Sequence, residues 1–403
     1  MIARIRGLTL NLSLALLSIV VLLLAVKCAD TILGLVQPVP ARSPEVDSLI
    51  FYPGTASEFD MHDYKTVERI NALGIRDEEV GLESKRQFRV VAVGDSFTYG
   101  WGVNLEDTWV KHLQKNLRER GLDVEVLNLG RPAAGPAEYV TLVQRATERL
   151  DPDLIIIGLL TADDLRQVVP TVILRGVIAA QRYLPNFSRR YLRENPVAKQ
   201  DMRGMIPIRP AEETREYYAR MAVATLEEMS ESARARFDNL PEDVRKAFHA
   251  GRLNPWMIGH STGHPDYFMY VLDETEISRR VQDLAYLLDH IKGYAAEADV
   301  PLMMIGIPEG FLVNEPAYEN VQRIGFEVVP AMKTTTLLDE ALTRMAQEKE
   351  LPYYPLTDAF RDHNEDPELY LALDRHMTGQ GNKLIADTIA PVVAGQLAGQ
   401  DSD

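Results

Sequence analysis

The sequence predicts a three-layer α/β fold with a central parallel sheet. Three observations predict it: apolar runs of strand length that lack alternation, amphipathic helix patterns between them, and Gly or Pro at the changeovers. Continuous apolar runs suit parallel strands covered on both faces. Strand–helix alternation suits a layered sheet flanked by helices.

Phe88-Arg89-Val90-Val91-Ala92-Val93 reads as the first strand and ends at Gly94. Residues 107–120 read as a helix, with Trp109, Val110, Leu113 and Leu117 on one face and Gly121 as the stop. Residues 124–129 form the next strand, ending at Gly130. Residues 136–150 form a helix in which Tyr139, Leu142, Val143, Ala146 and Leu150 are spaced for packing. Residues 154–160 are a nearly unbroken apolar strand, 301–307 a fourth and 352–356 a short fifth; 380–393 close the chain as a helix. The stretch from about 165 to 275 is longer than one crossover needs and reads as a mostly helical insertion. Within it 212–237 and 241–249 look helical, whereas 254–270, rich in Gly, Pro and aromatic residues, reads as a loop. Residues 277–298 are the helix that returns to the sheet.

The start of the chain is different in kind. Residues 8–26 carry no charge, Arg4 and Arg6 precede them, and Lys27 and Asp30 follow. A 19-residue helix spans about 28 Å, close to the roughly 30 Å of a bilayer core. With positive residues inside, the expectation is an uncleaved transmembrane helix with a cytoplasmic N-terminus. A cleaved signal peptide is the rival reading. The chain then divides into a cytoplasmic tip and anchor (1–36), a tether and lead-in (37–69) and the main domain (70–396). It would be a single-pass cell membrane protein with the bilayer as a partner and its main domain outside the cytoplasm. One cysteine excludes an intramolecular disulfide, and a formal net charge of -16 disfavours nucleic acid as a partner.

Gly94-Asp95-Ser96-Phe97-Thr98-Tyr99-Gly100 puts a serine hydroxyl past a strand and near the next helix, where open α/β sheets place their ligands. Far downstream, Asp374-Arg375-His376 supplies a base and a carboxylate. Ser96, His376 and Asp374 together are the three parts a serine acyl-transfer enzyme needs. Asp362-His363 is the rival pair, in a polar run that reads as a solvated loop. Trp101 stands where a phosphate-binding loop needs Lys, and Gly100-Trp101-Gly102 lacks the third glycine of a dinucleotide fingerprint. Tyr99, Trp101 and Asn104 are candidates to line a substrate pocket, and Arg131 to clamp an anionic substrate; core packing and a surface ion pair are the competing readings. His260 and His264 have helical metal-ligand spacing with Asp266 nearby, but Gly259, Gly263 and Pro265 argue against a helix there. No metal and no cofactor are expected.

Gly94-Asp95-Ser96, Asn128-Leu129-Gly130 and the late Asp–His pair together resemble the SGNH/GDSL hydrolase family. The resemblance implies a flavodoxin-like α/β fold and acyl-ester chemistry, as an esterase or an O-acyltransferase. It implies Ser96 as nucleophile, and an oxyanion hole from the Ser96 and Gly130 N–H groups and the third block. That block normally offers Asn-Asp; here Asp163-Asp164 stand in its place. An ionised Asp163 cannot donate a hydrogen bond. Protonation of Asp163, a register slip to Thr161, or a weak or inactive ligand-binding or scaffold protein would each account for it; Asp164 would cap the following segment or bond the chain near Ser96. The last block usually has Asp three residues before His. The two-residue offset of Asp374 and His376 resembles the branch with alginate-type O-acetyltransferases, as does Asn71-Ala72-Leu73-Gly74-Ile75-Arg76. The substrate implied is a cell-envelope polysaccharide or a small ester, with a membrane acyl-donor protein as a partner if the reaction is transfer.

Overall fold

The computed structural model describes residues 17–18, 20–32, 48–83, 85–173, 175, 183–184 and 210–400. The chain forms two compact units, one of residues 46–168 and 201–403 and one of residues 1–45 and 169–200.

The larger unit is an α/β fold around a five-stranded parallel sheet. Its strands are β3 (Phe88–Gly94), β4 (Val124–Gly130), β5 (Leu154–Leu160), β6 (Leu302–Ile307) and β7 (Tyr353–Pro355), in the order β4-β3-β5-β6-β7. Two earlier strands, β1 (Ala56–Asp60) and β2 (Lys65–Arg69), form a separate antiparallel hairpin. Every residue of β3 and β5 is buried, as unbroken apolar strands require. Right-handed crossovers place α2 (Trp109–Glu119) and the last helix, Gly379–Gln400, on one face, where they pack together. On the other face α3 (Pro136–Arg149) packs against the long helix Glu274–Glu297, which also meets Leu337–Glu348.

The strand order reverses at β3, so the crevice at the carboxyl ends of β3 and β5 is the switch point of the sheet. Gly94, Gly130 and Gly158 lie in register there, at neighbouring positions of β3, β4 and β5. Over them sits a one-turn helix, α1 (Ser96–Tyr99). A Cβ on Gly130 would meet the Tyr99 backbone, and one on Gly94 or Gly158 the Thr98 hydroxyl. The row of glycines lets α1 lie directly on the sheet, which puts Ser96 at the crevice.

The segment between β5 and β6 holds α4 (Thr161–Gln167), α5 (Ala211–Glu228), a helix over Glu231–Asp238, another over Glu242–His249 and α6 (Pro255–Gly263). The single helix expected over 212–237 breaks at Met229; Ser230 then caps the next helix by accepting the Ala233 N–H at 3.2 Å. The loop expected over 254–270 contains a helix. Asn254 caps it and Pro255 opens it, which is where proline suits a helix.

The transmembrane expectation is overturned. Residues 1–16 and 19 lie outside the described residues, and among the described residues no helix is long and apolar enough to cross a membrane. The described helical residues 20–32 include Lys27 and Asp30. Asp30 is buried, 3.8 Å from the Lys27 amine, which also donates to the Tyr183 carbonyl at 2.7 Å. The anchor helix, the bilayer partner, the single-pass topology and the extracytoplasmic location inferred from them are withdrawn.

Candidate active site

Ser96 is the first residue of α1, directly after β3. Asp95 caps that turn, its carboxylate accepting the Phe97 N–H at 2.9 Å. As the first helical residue, Ser96 has a backbone N–H with no intrahelical acceptor. Its Oγ lies 2.8 Å from His376 Nε2, and His376 Nδ1 is hydrogen-bonded to Asp374 Oδ1. Asp374 is buried; the His376 side chain is 15% exposed, with Phe97 at 5.0 Å and Trp101 at 6.1 Å between ring centroids.

The loop bearing Asp374 and His376 is closed at its base. Tyr370 and Met377 bridge as in an antiparallel pair, and the Leu371 N–H donates to the His376 carbonyl at 2.8 Å. Asp63, from the turn between β1 and β2, accepts the N–H groups of Leu373 and Asp374 at 2.5 and 2.9 Å through one carboxylate oxygen. The loop after Ser96 is also fixed. Arg76 is buried and donates to the carbonyls of Tyr99 and Gly100 at 3.0 and 2.6 Å, and to that of Val103.

The structure places the other candidates variously. Gly130 ends β4 beside α1, but its N–H donates to Asn128 Oδ1 at 2.9 Å. Asp163 is in the first turn of α4, half-buried, and accepts from Gln167 Nε2 at 2.7 Å. Thr161 is buried at the start of the same helix. Asp164 is fully buried and accepts the Tyr139 hydroxyl at 2.9 Å and the Leu160 N–H at 2.8 Å. Tyr99 lies in the interior, with its hydroxyl on Glu68 at 2.7 Å. Trp101 is half-buried and packs on Phe59 at 5.5 Å. Asn104 is half-buried at the start of a short helix over Leu105–Asp107. Arg131 is half-buried, and its charge acts on Glu138. Asp362 and His363 are exposed. His260 lies in α6 with its ring 4.4 Å from that of Tyr267 and 5.5 Å from that of His264.

Sequence reasoning did not single out Asp63, which holds the Leu373 and Asp374 backbone, or Glu309 and Arg375, which face each other 3.8 Å apart. Burial raises the Asp95 carboxyl from 3.8 to about 7; the Phe97 N–H opposes this and the charge of Asp163 adds to it. Burial likewise raises Glu309 from 4.5 to about 7, with Arg375 opposing and Asp163 adding. Asp164 is also raised, by burial and by the charge of Asp95. Unfolded, Asp95 and Glu309 release their protons near pH 4; folded, these two hold them until near neutrality. The folded state therefore binds more protons between those values. The stability these groups contribute is complete below about pH 4 and is lost as the pH rises through about 7. The melting temperature is expected to fall between pH 5 and 8, and Glu309→Gln to flatten part of that fall. A wild-type melting temperature that rises over this range would contradict the assignment.

The model of the GDSL-like lipase/acylhydrolase family matches residues 92–384, a span that runs from β3 through the Asp374–His376 loop. The chain belongs to that family. It is a hydrolase of the GDSL/SGNH type. No curated protein matches the sequence. Among solved structures, it is similar to an alpha/beta hydrolase enzyme from the metagenome of Lake Arreo, Spain, at 14% identity over 79% of this chain and 99% of that one, with a TM-score of 0.32. A psychrotrophic esterase from Pseudoalteromonas sp. is 12% identical over 77% and 98%, with a TM-score of 0.33. A member of the lipolytic protein G-D-S-L family from Veillonella parvula DSM 2008 is 9% identical over 76% and 97%, with a TM-score of 0.35. Likenesses of this size carry no argument about substrate.

Proposed function

We propose that this GDSL-family hydrolase is a serine-dependent acyl-ester hydrolase in which Ser96 is the nucleophile, His376 the general base and Asp374 the group that orients it. The observation that carries the reading is the unbroken relay from Asp374 through His376 to Ser96 Oγ. A serine hydroxyl is a weak nucleophile until a base takes its proton. As Oγ attacks the acyl carbon, its proton passes to His376 Nε2. Collapse of the tetrahedral intermediate expels the alcohol, which takes that proton from His376. Water then attacks the acyl-enzyme with the same base and releases the acid.

The oxyanion rests on the Ser96 N–H, at the amino end of α1. The Gly130 N–H joins it by exchanging Asn128 Oδ1 for the substrate oxygen. Asp163 stands where the family offers an asparagine amide, and its Oδ2 accepts from Gln167, so the third donor is missing. Removing one donor from an oxyanion hole typically costs about a hundredfold or more in rate, so the reading is of a slow enzyme. Trp101 presents a half-buried ring beside His376, a surface suited to a sugar or a small alcohol as the leaving group. The spacing of Asp374 and His376 favours a second reading, in which a polysaccharide hydroxyl replaces water and the reaction is O-acyl transfer.

The test is intact-mass analysis after treatment with a fluorophosphonate. One adduct on the wild type and none on Ser96→Ala is the expected result, together with hydrolysis of a short acyl ester. Adding oligosaccharide acceptors and measuring acylated sugar against free acid separates transfer from hydrolysis. A wild type that neither labels nor turns over ester would sink both readings and leave a ligand-binding or scaffold role.

A further inference from the structure

We propose that Arg375 is a positioning residue for the Asp374–His376 pair, an inference that rests on the serine-dependent reading above. Three observations lead to it. Arg375 has φ +67, in the left-handed region that residues with a Cβ disfavour. Its guanidinium lies over two aromatic rings, 5.1 Å from the centroid of Phe268 and 5.3 Å from that of Phe326. It also faces Glu309 just past the end of β6, with 3.8 Å between Nη2 and Oε1. Glu309 is 1% exposed, and among the described residues neither its Oε1 nor the Nε of Arg375 has a hydrogen-bond partner. The acid and the guanidinium are held together by burial and by the rings, at a distance where ordinary hydrogen bonding is absent.

The consequence lies in the backbone. Alternate residues of an extended chain point to the same side, so Asp374 and His376 start on one side with Arg375 between them. The left-handed turn at Arg375 bends the chain and brings the Asp374 carboxylate onto His376 Nδ1. Nothing in a serine hydroxyl or an imidazole stabilises that turn. The Arg375 side chain does, by docking its guanidinium on Phe268, Phe326 and Glu309, while Asp63 holds the other end of the loop through Leu373 and Asp374. Arg375 acts on the reaction through His376, and its own contacts are to the protein.

The experiment compares Arg375→Ala, Arg375→Gly and Arg375→Lys with the wild type, by kcat and KM on a short acyl ester, by the rate of fluorophosphonate labelling and by melting temperature. Small displacements of reacting groups cost up to about a hundredfold. Arg375→Ala is expected to lower kcat by about 10- to 100-fold, with KM within about threefold of wild type, and to slow labelling in parallel. Arg375→Gly removes the backbone penalty and the anchor together; it is expected to be as slow as Ala and to recover part of its rate with added methylguanidinium. Lysine keeps the charge without the planar stack and is expected to fall between. Should the alanine variant fail to fold, Glu309→Gln reads the same anchor, with a lowered kcat and slower labelling expected. Wild-type labelling and kcat in Arg375→Ala or Glu309→Gln, a purely KM effect, or a fast Arg375→Gly would each overturn the proposal. If the wild type itself does not label at Ser96, the failure lies in the proposed function.

Discussion

Replacing His376 by alanine is expected to reduce ester turnover by about 10⁴-fold, the upper end of what a positioned general base contributes, while leaving the fold intact. His376 Nε2 stands 2.8 Å from Ser96 Oγ, and its ring is packed by Phe97 and Trp101 so that it cannot swing away without opening a gap. Without the imidazole nothing takes the hydroxyl proton, and only the binding site and the oxyanion donors remain to accelerate the reaction. The loop should persist in the variant, because its closure depends on Asp63 and on the Tyr370–Met377 bridge. His363 provides the control. It is exposed in a turn whose backbone N–H donates to the Phe360 carbonyl, so His363→Ala is expected to keep turnover within about twofold, as surface substitutions away from special features usually do for stability. Steady-state kinetics on a short acyl ester, with circular dichroism to check folding, decides between the two histidines. If His363→Ala loses activity and His376→Ala retains it, the base has been misassigned.

The parts of the fold that could be read in the sequence are those where local pattern and tertiary role agree. The strands β3 and β5 are uninterrupted apolar runs because both faces of the sheet are covered, and covering both faces is what erases alternation. The hairpin β1–β2 was missed for the opposite reason. Its inward positions include Ser57, Thr66 and Glu68, all buried, so its period of two is hidden among polar side chains. Glu68 lies inside because the Tyr99 hydroxyl reaches it, a partner 31 residues away that no local window contains. The helix Pro255–Gly263 carries the Gly and Pro content of a loop. Pro255 occupies the first turn, and Gly259 is packed where a Cβ would meet Thr225. The transmembrane expectation rested on the uncharged run 8–26 alone, and among the described residues no helix is long and apolar enough to cross a membrane. At the site, Ser96 stood out because a strand, a glycine and a helix start coincide there. Asp63, Glu309 and Arg375 did not, since their roles come from contacts across the chain: Asp63 lies 310 residues from Leu373.

Asp374→Asn is expected to lower turnover by about 10⁴-fold while preserving the shape of the site, by analogy with loss of the carboxylate from a serine triad. The reason is the identity of the proton on His376. For Nε2 to accept from Ser96 across the 2.8 Å contact, Nδ1 must carry the proton toward Asp374 Oδ1. Asparagine can present its N–H₂ to Nδ1, and the imidazole then protonates Nε2 instead, which turns the base into a donor facing the hydroxyl. Even with the correct tautomer, the imidazolium formed during attack would lack a buried counter-charge. Asp374 is well placed for that charge because it is buried, where an ion pair is screened less than at the surface. Asp63 separates the two effects from a simple loosening of the loop. Its carboxylate accepts the backbone N–H of Asp374 and touches neither the imidazole nor the serine. Asp63→Asn retains an acceptor oxygen for the N–H groups of Leu373 and Asp374 and is expected to lower turnover by less than about tenfold, since both hydrogen bonds are weakened and neither is lost. The decisive measurement is kcat/KM across pH for both variants, with fluorophosphonate labelling of Ser96 followed in parallel. A deficit in Asp374→Asn that shrinks at high pH, where hydroxide substitutes for the base, supports the tautomer account. Equal losses in Asp374→Asn and Asp63→Asn would show that Asp374 matters for loop geometry alone.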